Sequence, residues 1–518
     1  MNWSELKSLN EPNNFSTEIS TIAKGAGIVY IGTFLGIGLK YFFELLIARN
    51  LGAKLFGIFF LGFSIFKVLE RISTLGLHNG ILRYVSIFRS TGDKARIKGT
   101  ILLSLKIVTV FGILIFILIT VFSPSISTTV FDKPELSQIL PLFAAVVVFS
   151  VITEIFVYST LAFQVTKYKV IVRMLFEPGS RILLVVITFL LGWKLLGAVY
   201  AFSISIVAGM GMAFLCLSRV FPGFNQKSLI PVYETKSILK FSWPLFFVGF
   251  FNIALVQINT LILGYFRAAS EVGIYGAAFR TAFLIPIGLE SFNAIFAPII
   301  SDLYEKKESR KLGDLFKIAT KWIFTISLPI SLFLVIYAKP ILQIWGKAYV
   351  DGSICLIILC IGQLINCSVG SVGYMITMIG KSKINLANMS AILLVNIALN
   401  LLLIPRLGII GAAVSVTASL VLINIIRLAE VFFILKIHPY RVDFFKPLLA
   451  GGIAVLITHF IKSIGLFFSN NLLYLASGFV IFLLAYAGSL LIMGIEKEDR
   501  YILHKIKKSI TGRKNSYG

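Results

Sequence analysis

Long apolar runs alternate with short polar segments along almost the whole chain. A helix of about 20 apolar residues is long enough to cross a bilayer. Fourteen runs reach about that length, near residues 24–48, 55–77, 99–122, 139–163, 171–192, 195–219, 239–265, 274–300, 315–338, 353–379, 384–404, 408–435, 445–464 and 472–494. The pattern predicts an all-α membrane protein with about 14 transmembrane helices.

The composition supports this prediction, because 58 % of the 518 residues are hydrophobic and only 14 % are charged. A soluble domain of this size does not bury that much apolar surface. The four cysteines lie in apolar runs, which is typical of packing residues, and the four histidines show no metal-ligand spacing. No metal site and no cofactor is therefore expected.

The basic residues predict an orientation. With the N-terminus inside, 34 of the 48 Lys and Arg residues lie in inner segments and only nine in outer ones. Cytoplasmic segments of membrane proteins carry such an excess. The bias predicts a multi-pass protein of the cell (plasma or inner) membrane with both termini in the cytoplasm. It also accounts for most of the net charge of +25, so no nucleic-acid partner is expected.

The chain contains an internal repeat. Gly57 in KLFGIFFLGF matches Gly273 in SEVGIYGAAF, 216 residues later, and Lys167 in KYKVIVRM matches Lys381 in KSKINLAN, 214 residues later. Spans one to six therefore recur as seven to twelve, which predicts two pseudo-symmetric six-helix lobes with the same orientation. A substrate site is expected between the halves near mid-membrane, with alternating access by rocking of one half on the other.

The repeat divides the chain into six predicted parts. They are a cytoplasmic N-terminal segment (1–23), an N-lobe of spans one to six (24–221), a cytoplasmic linker (222–238), a C-lobe of spans seven to twelve (239–438), two extra helices (439–495) and a basic cytoplasmic tail (496–518). No segment between spans is long enough for a soluble domain.

Ionisable residues within the spans are candidates for a binding site, because such groups normally face a wet cavity or a partner. The cations are Lys40, Lys67, Arg71 and Arg280, and the acids are Glu44, Glu70, Glu154 and Glu290. They could form internal salt bridges between helices or a cationic lining for an anionic substrate. The second interpretation is favoured around Glu70, where two cations surround one acid. Arg71 and Arg280 are the first choices for a phosphate, which arginine binds bidentately.

Span seven carries amides instead of charges, namely Asn252, Gln257 and Asn259. These side chains could donate hydrogen bonds to sugar hydroxyls. For each of them the alternative is a hydrogen bond between helices.

The stretches LGAKLFGIFFLGFSI, LGLHNGILRYVS and SEVGIYGAAFR resemble the polysaccharide transport proteins, and so does GKSKINLANMSAILLVNIALNLLLIPRLGIIGAAVS. These are the oligosaccharide flippases of the multidrug/oligosaccharidyl-lipid/polysaccharide (MOP) exporter superfamily. The resemblance implies a MATE-like V of two lobes with a cationic central cavity. Matching the pattern onto this chain gives Lys40, Lys67, Arg71 and Arg280 as cavity cations.

The resemblance also implies a function. The expected substrate is a polyprenyl-diphosphate-linked oligosaccharide, moved from the cytoplasmic to the outer leaflet for cell-surface polysaccharide or glycan biosynthesis. The two extra helices would provide a groove for the lipid tail. The expected partners are the substrate, membrane lipids and other polysaccharide-assembly membrane proteins, with the chain itself a monomer.

Two other functions compete with this one. A cation-coupled multidrug or small-molecule exporter of the same superfamily would use Glu44, Glu70 or Glu290 for Na⁺ or H⁺, and either ion could also couple a flippase. The neighbouring cations and the two extra spans argue against the exporter. An enzyme is not expected, because the outer segments are short and the most acidic one, near Asp132 and Glu135, has no histidine partner.

Overall fold

The protein is all-helical throughout the described residues, 12–463 and 471–494 of a computed structural model. The α-helices are α1 (Pro12–Thr74), α2 (Leu77–Ser90), α3 (Lys94–Ser125), α4 (Leu136–Ala162), α5 (Glu177–Leu190), α6 (Lys194–Val220), α7 (Thr235–Phe266), α8 (Ala269–Ala282), α9 (Ile287–Glu305), α10 (Ser309–Ile336), α11 (Ala338–Trp345), α12 (Ser353–Ser368), α13 (Val372–Met378), α14 (Ser382–Leu407), α15 (Ile409–Leu435), α16 (Lys446–Ser463) and α17 (Asn471–Ile492). The all-α prediction is confirmed. The predicted tail 496–518 lies outside the described residues, as do residues 1–11 of the N-terminal segment.

Eleven helices in the described part are long and apolar enough to cross a membrane, or twelve if a bent pair counts as one span. The predicted count of 14 is not confirmed. The first two predicted spans lie in the single helix α1, which bends at Gly52, where φ is 73°. Predicted span eight is the bent pair, because α8 and the start of α9 meet at 52°.

The third difference lies at predicted span five. Its helical run starts at Lys167–Lys169, continues as a π-helix over Val170–Phe176 and ends as α5, which has only 14 residues. Pro178 has no backbone N–H, so it cannot form the hydrogen bond to the carbonyl four residues earlier that an α-helix requires. The wider π turn that precedes Pro178 accommodates this missing hydrogen bond.

The helices group into two compact units. The first comprises the described residues up to Arg280 together with Leu342–Cys355 and Leu386–Ser419. The second comprises Thr281–Ile341, Leu356–Asn385 and the described residues from Leu420 onward. The predicted lobes, 24–221 and 239–438, have other boundaries and stay a prediction.

A cluster of buried phenylalanines holds α1, α4 and α6 together in the first unit. Phe66, Phe143 and Phe202 are at most 2 % exposed. The ring centroid of Phe202 lies 5.2 Å from that of Phe66 and 5.5 Å from that of Phe143, in edge-on and tilted contacts typical of aromatic cores. Phe63 extends the cluster, at 5.7 Å from Phe202, and both of these rings reach the cavity described below.

The second unit has its own core around α10. Phe324 stacks on Phe444 with ring centroids 4.5 Å apart, and the Tyr486 hydroxyl donates a 3.0 Å hydrogen bond to the Thr325 carbonyl. Tyr486 belongs to α17, and Ala450 and Ala454 of α16 are buried in the same cluster. The two helices predicted to lie outside the repeat are therefore built into this unit.

Candidate functional site

A cavity of about 400 Å³ lies within the first unit and is lined mainly by charged side chains. The cations are Lys40, Lys67, Arg71, Lys169, Arg173, Arg181 and Arg280, and the carboxylates are Glu44, Glu70, Glu154 and Glu177. With each group in its ordinary charge state at neutral pH, seven cations and four carboxylates give the cavity a charge of +3.

Helical spacing brings these groups to one place. Side chains three or four residues apart lie on the same face of a helix. Lys40 and Glu44 have this spacing before the bend in α1, and Lys67 and Arg71 have it after the bend. Every fourth residue of the run 169–181 also lines the cavity, namely Lys169, Arg173, Glu177 and Arg181.

Each of the four carboxylates has a cation within 4 Å. The closest nitrogen–oxygen distances are 2.8 Å for Lys67–Glu70, 2.8 Å for Arg280–Glu44, 3.0 Å for Arg173–Glu177 and 3.9 Å for Arg71–Glu154. The Arg280–Glu44 contact is an ion pair without hydrogen-bond geometry. Arg71–Glu154 is the loosest of the four pairs.

Three cations remain without a carboxylate within 4 Å in the described part of the chain, namely Lys40, Lys169 and Arg181. The Nζ of Lys40 lies 3.5 Å from the sulfur of Met174, which is a weak acceptor. The ammonium of Lys169 lies 5.7 Å from the ring centroid of Tyr158. The charge of these side chains is thus held in place without being neutralised.

Arg181 is fixed most firmly of the three. Its Nε donates a 3.1 Å hydrogen bond to Oγ of Ser205, and its guanidinium carbon lies 4.3 Å from the ring centroid of Phe202. Aromatic faces attract a guanidinium without cancelling its charge. The phenylalanine cluster therefore orients a cation in the cavity wall.

Glu70 connects α1 to α4. It accepts a 2.8 Å hydrogen bond from Nζ of Lys67 and a short one from Oγ of Ser150. Arg173 donates a 2.9 Å hydrogen bond to the carbonyl of Ser150. The acid is thus bound within the protein, as expected for a carboxylate that ties helices together.

The structure brings together seven of the eight ionisable residues proposed from the sequence, since Glu290 lies in the second unit. Arg71 and Arg280 are both paired with acids. Sequence reasoning left Lys169, Arg173, Glu177 and Arg181 out of the site, because it assigned them to an inner segment or to the start of predicted span five. Their regular four-residue spacing is the signal that could have revealed them.

None of the three predicted amides lines this cavity. Asn252 is exposed and donates to the Val248 carbonyl of its own helix, at 2.9 Å. Asn259 is buried and accepts a 2.8 Å hydrogen bond from Asn400 of α14. Gln257 is buried nearby on α7. Asn259 therefore forms a hydrogen bond between helices, the alternative to sugar binding. A sugar-binding role stays a prediction for all three amides.

A family model described as "Polysaccharide biosynthesis protein" matches residues 22–304, which is more than half of the chain and includes every charged residue of the cavity. The chain belongs to this family. A second model, MatE, matches residues 244–402.

The probable low-salt glycan biosynthesis flippase Agl15 of Haloferax volcanii is 22 % identical over 409 residues, which cover 77 % of this chain and 81 % of Agl15. An inward-facing MATE-family multidrug transporter of the MOP superfamily superposes with a TM-score of 0.69 at 16 % identity, covering 76 % of this chain and 94 % of that one. The lipid II flippase MurJ in an inward closed conformation gives a TM-score of 0.68 at 16 % identity, with coverages of 90 % and 98 %. The chain therefore has the fold of this superfamily and is a multi-pass membrane protein.

Proposed function

We propose that the protein is a flippase that moves a polyprenyl-diphosphate-linked oligosaccharide from the cytoplasmic to the outer leaflet by alternating access. The observation that carries the proposal is the charge of +3 in a cavity lined in large part by helices that are apolar enough to span a membrane. Membership of the polysaccharide biosynthesis family and the likeness to a relative named as a glycan flippase support it.

The chemistry of the head group fits this cavity. A diphosphate diester carries two negative charges, which are very costly to move through hydrocarbon unless fixed cations offset the cost. Lys40, Lys169 and Arg181 offer positive charge without first giving up a carboxylate partner. Of the four paired cations, Arg71 and Arg280 each contact an acid of another helix, and the prenyl tail stays in lipid.

The cavity disfavours the competing exporter of organic cations. An organic cation entering it would meet three uncompensated positive charges, and all four acids are already paired. The likeness to multidrug transporters concerns the fold, on which both functions are built. Coupling to Na⁺ or H⁺ and the cytoplasmic position of both termini belong to the same proposal.

Reconstitution in liposomes tests the proposal. A fluorescent prenyl-diphosphate oligosaccharide and an organic-cation dye are offered to the wild type and to a triple variant, Lys40→Gln, Lys169→Gln and Arg181→Gln. We expect the wild type to move the glycolipid and not the dye, and the triple variant to lose glycolipid movement.

Lys106→Gln is the matched control, because Lys106 is exposed and contacts Tyr233 outside the cavity. Movement of the dye alone by the wild type would support the exporter. Wild-type glycolipid movement by a folded triple variant would overturn the role of the three cations.

A further inference from the structure

A buried histidine lies directly behind the cavity wall. His78, near the start of α2, is only 5 % exposed and does not line the cavity. Its Nε2 lies 3.4 Å from Nη1 of Arg71, and its Nδ1 lies 3.8 Å from Oε1 of Glu154. His78 therefore contacts both members of the loosest ion pair in the cavity.

The contact with Arg71 favours a neutral His78. A guanidinium has only N–H donors, so in a hydrogen bond at this contact Nε2 accepts, which makes the imidazole neutral with its proton on Nδ1. That Nδ1 has no hydrogen-bond partner among the described residues, and its 3.8 Å distance to Glu154 is too long for a hydrogen bond. The cluster of Arg71, His78 and Glu154 thus carries no net charge.

The groups around His78 include a single carboxylate within the described part of the chain. α1 contributes Arg71, and α4 contributes Glu154 and the Tyr158 ring, whose centroid lies 4.9 Å from that of His78. Lys169 lies against Tyr158. α7 packs against the start of α2 through the uncharged residues Ser242 and Phe246, which lie next to Gly76 and Gly80.

We propose that His78 is a proton-binding site linked to the anionic head group, an inference that rests on the proposed function. When a phosphate draws Arg71 away, Nε2 of His78 loses its donor and takes up a proton from the buffered solvent. The imidazolium then pairs with Glu154, and Arg71 pairs with the phosphate. Both pairs are neutral, whereas without the proton Glu154 would remain as an uncompensated carboxylate, which is costly in a poorly solvated site.

Linkage makes the effect reciprocal, so that protonation of His78 also favours head-group binding. The proposal therefore predicts proton uptake on binding. The probe is a short-chain prenyl-diphospho-glucose, a diphosphate diester that stays ionised throughout the pH range used. Calorimetric titration of the full-length protein in detergent, in buffers with different ionisation enthalpies, counts the protons at about pH 7, close to the ordinary histidine pKa of about 6.5.

We expect the wild type to take up between about half a proton and one proton per ligand, as linkage requires for one group that becomes protonated on binding. His78→Gln keeps an acceptor for Arg71 but cannot bind a proton, so it should bind the ligand without uptake. His438→Gln is the matched control, because His438 is exposed and lies in the second unit, and its uptake should equal that of the wild type.

Undiminished uptake by His78→Gln would overturn the assignment. Wild-type binding without uptake would overturn the proton linkage and leave the flippase proposal standing, whereas absence of binding by the wild type would overturn both. If His78→Gln does not fold, Glu154→Gln is the second variant. It removes the carboxylate that stabilises the imidazolium, so uptake must fall, and full uptake in that variant would refute the proposal.

Discussion

Gly57 of α1 and Gly273 of α8, which the internal repeat makes equivalent, lie against each other. A Cβ built on Gly57 would be 2.8 Å from the backbone nitrogen of Gly273 and would overlap the carbonyl of Ala269. A Cβ on Gly273 would overlap the carbonyl of Ala53 in turn. The two helices thus cross at a distance that only glycine permits. The ion pair between Glu44 of α1 and Arg280 of α8 joins the same two helices.

Gly57→Ala should therefore destabilise the protein by about 1–3 kcal/mol, the usual cost of overpacking, because backbone atoms rather than a flexible side chain oppose the new methyl group. Thermal unfolding of the purified protein in detergent measures the change. Gly38→Ala is the control in the same helix, because a Cβ at Gly38 would meet nothing within 4 Å. Equal effects of the two substitutions would contradict the close crossing.

Because Arg280 and Glu44 form an ion pair, the effects of substituting them on stability should not be additive. Arg280→Gln leaves the largely buried Glu44 without its cation, which should lower stability towards the lower end of the about 3–5 kcal/mol typical of a broken buried pair. In the double variant Glu44→Gln with Arg280→Gln, most of that loss should be recovered. Unfolding of the four proteins measures the coupling, and simple additivity would show that the 2.8 Å contact contributes nothing.

Replacing Lys40, unlike replacing Arg280, should not lower the stability of the protein. Its ammonium has no carboxylate partner within 4 Å in the described structure and lies in a cavity with six other cations. Lys40→Gln is therefore expected to leave the unfolding temperature equal to or above that of the wild type. The same substitution should weaken binding of a prenyl diphosphate about 10- to 100-fold, as expected for loss of one charged hydrogen bond. A fall in stability with unchanged binding would show that Lys40 is a structural residue.

Glu135 predicts a pH effect outside the spans. Its side chain lies 2.6 Å from Lys54, and this hydrogen bond holds the pKa of the carboxyl below its ordinary value. The pair therefore stabilises the protein above about pH 4.3, the ordinary carboxyl pKa of Glu, and this contribution disappears as the pH falls through the lower folded-state pKa. The pair is exposed, so the effect is at most about 1 kcal/mol.

Comparing Glu135→Gln with the wild type at neutral pH and at about pH 3 measures this contribution. The wild type should be slightly more stable only at neutral pH. A stability difference that is the same at both pH values would show that the pair does not depend on the charge of Glu135.

The sequence predicted the helical fold and most of the charged site, because both follow from local patterns. Hydropathy identifies spans, and a charge inside a span indicates a cavity or a partner. The pairing could not be predicted, because Glu44 and Arg280 are more than 200 residues apart in the chain and meet through tertiary packing. Arg173 escaped notice for a related reason: a hydropathy window does not reveal the π-helical start of its span.

The cations of the cavity fall into two groups, those paired with a carboxylate and those without one. Four ion pairs join neighbouring turns and helices, whereas Lys40, Lys169 and Arg181 have no acid to hold. Those three positions can therefore change without breaking an ion pair. Under the proposed function, altering these three side chains would retune the protein from anionic to neutral cargo while the rest of the molecule is retained.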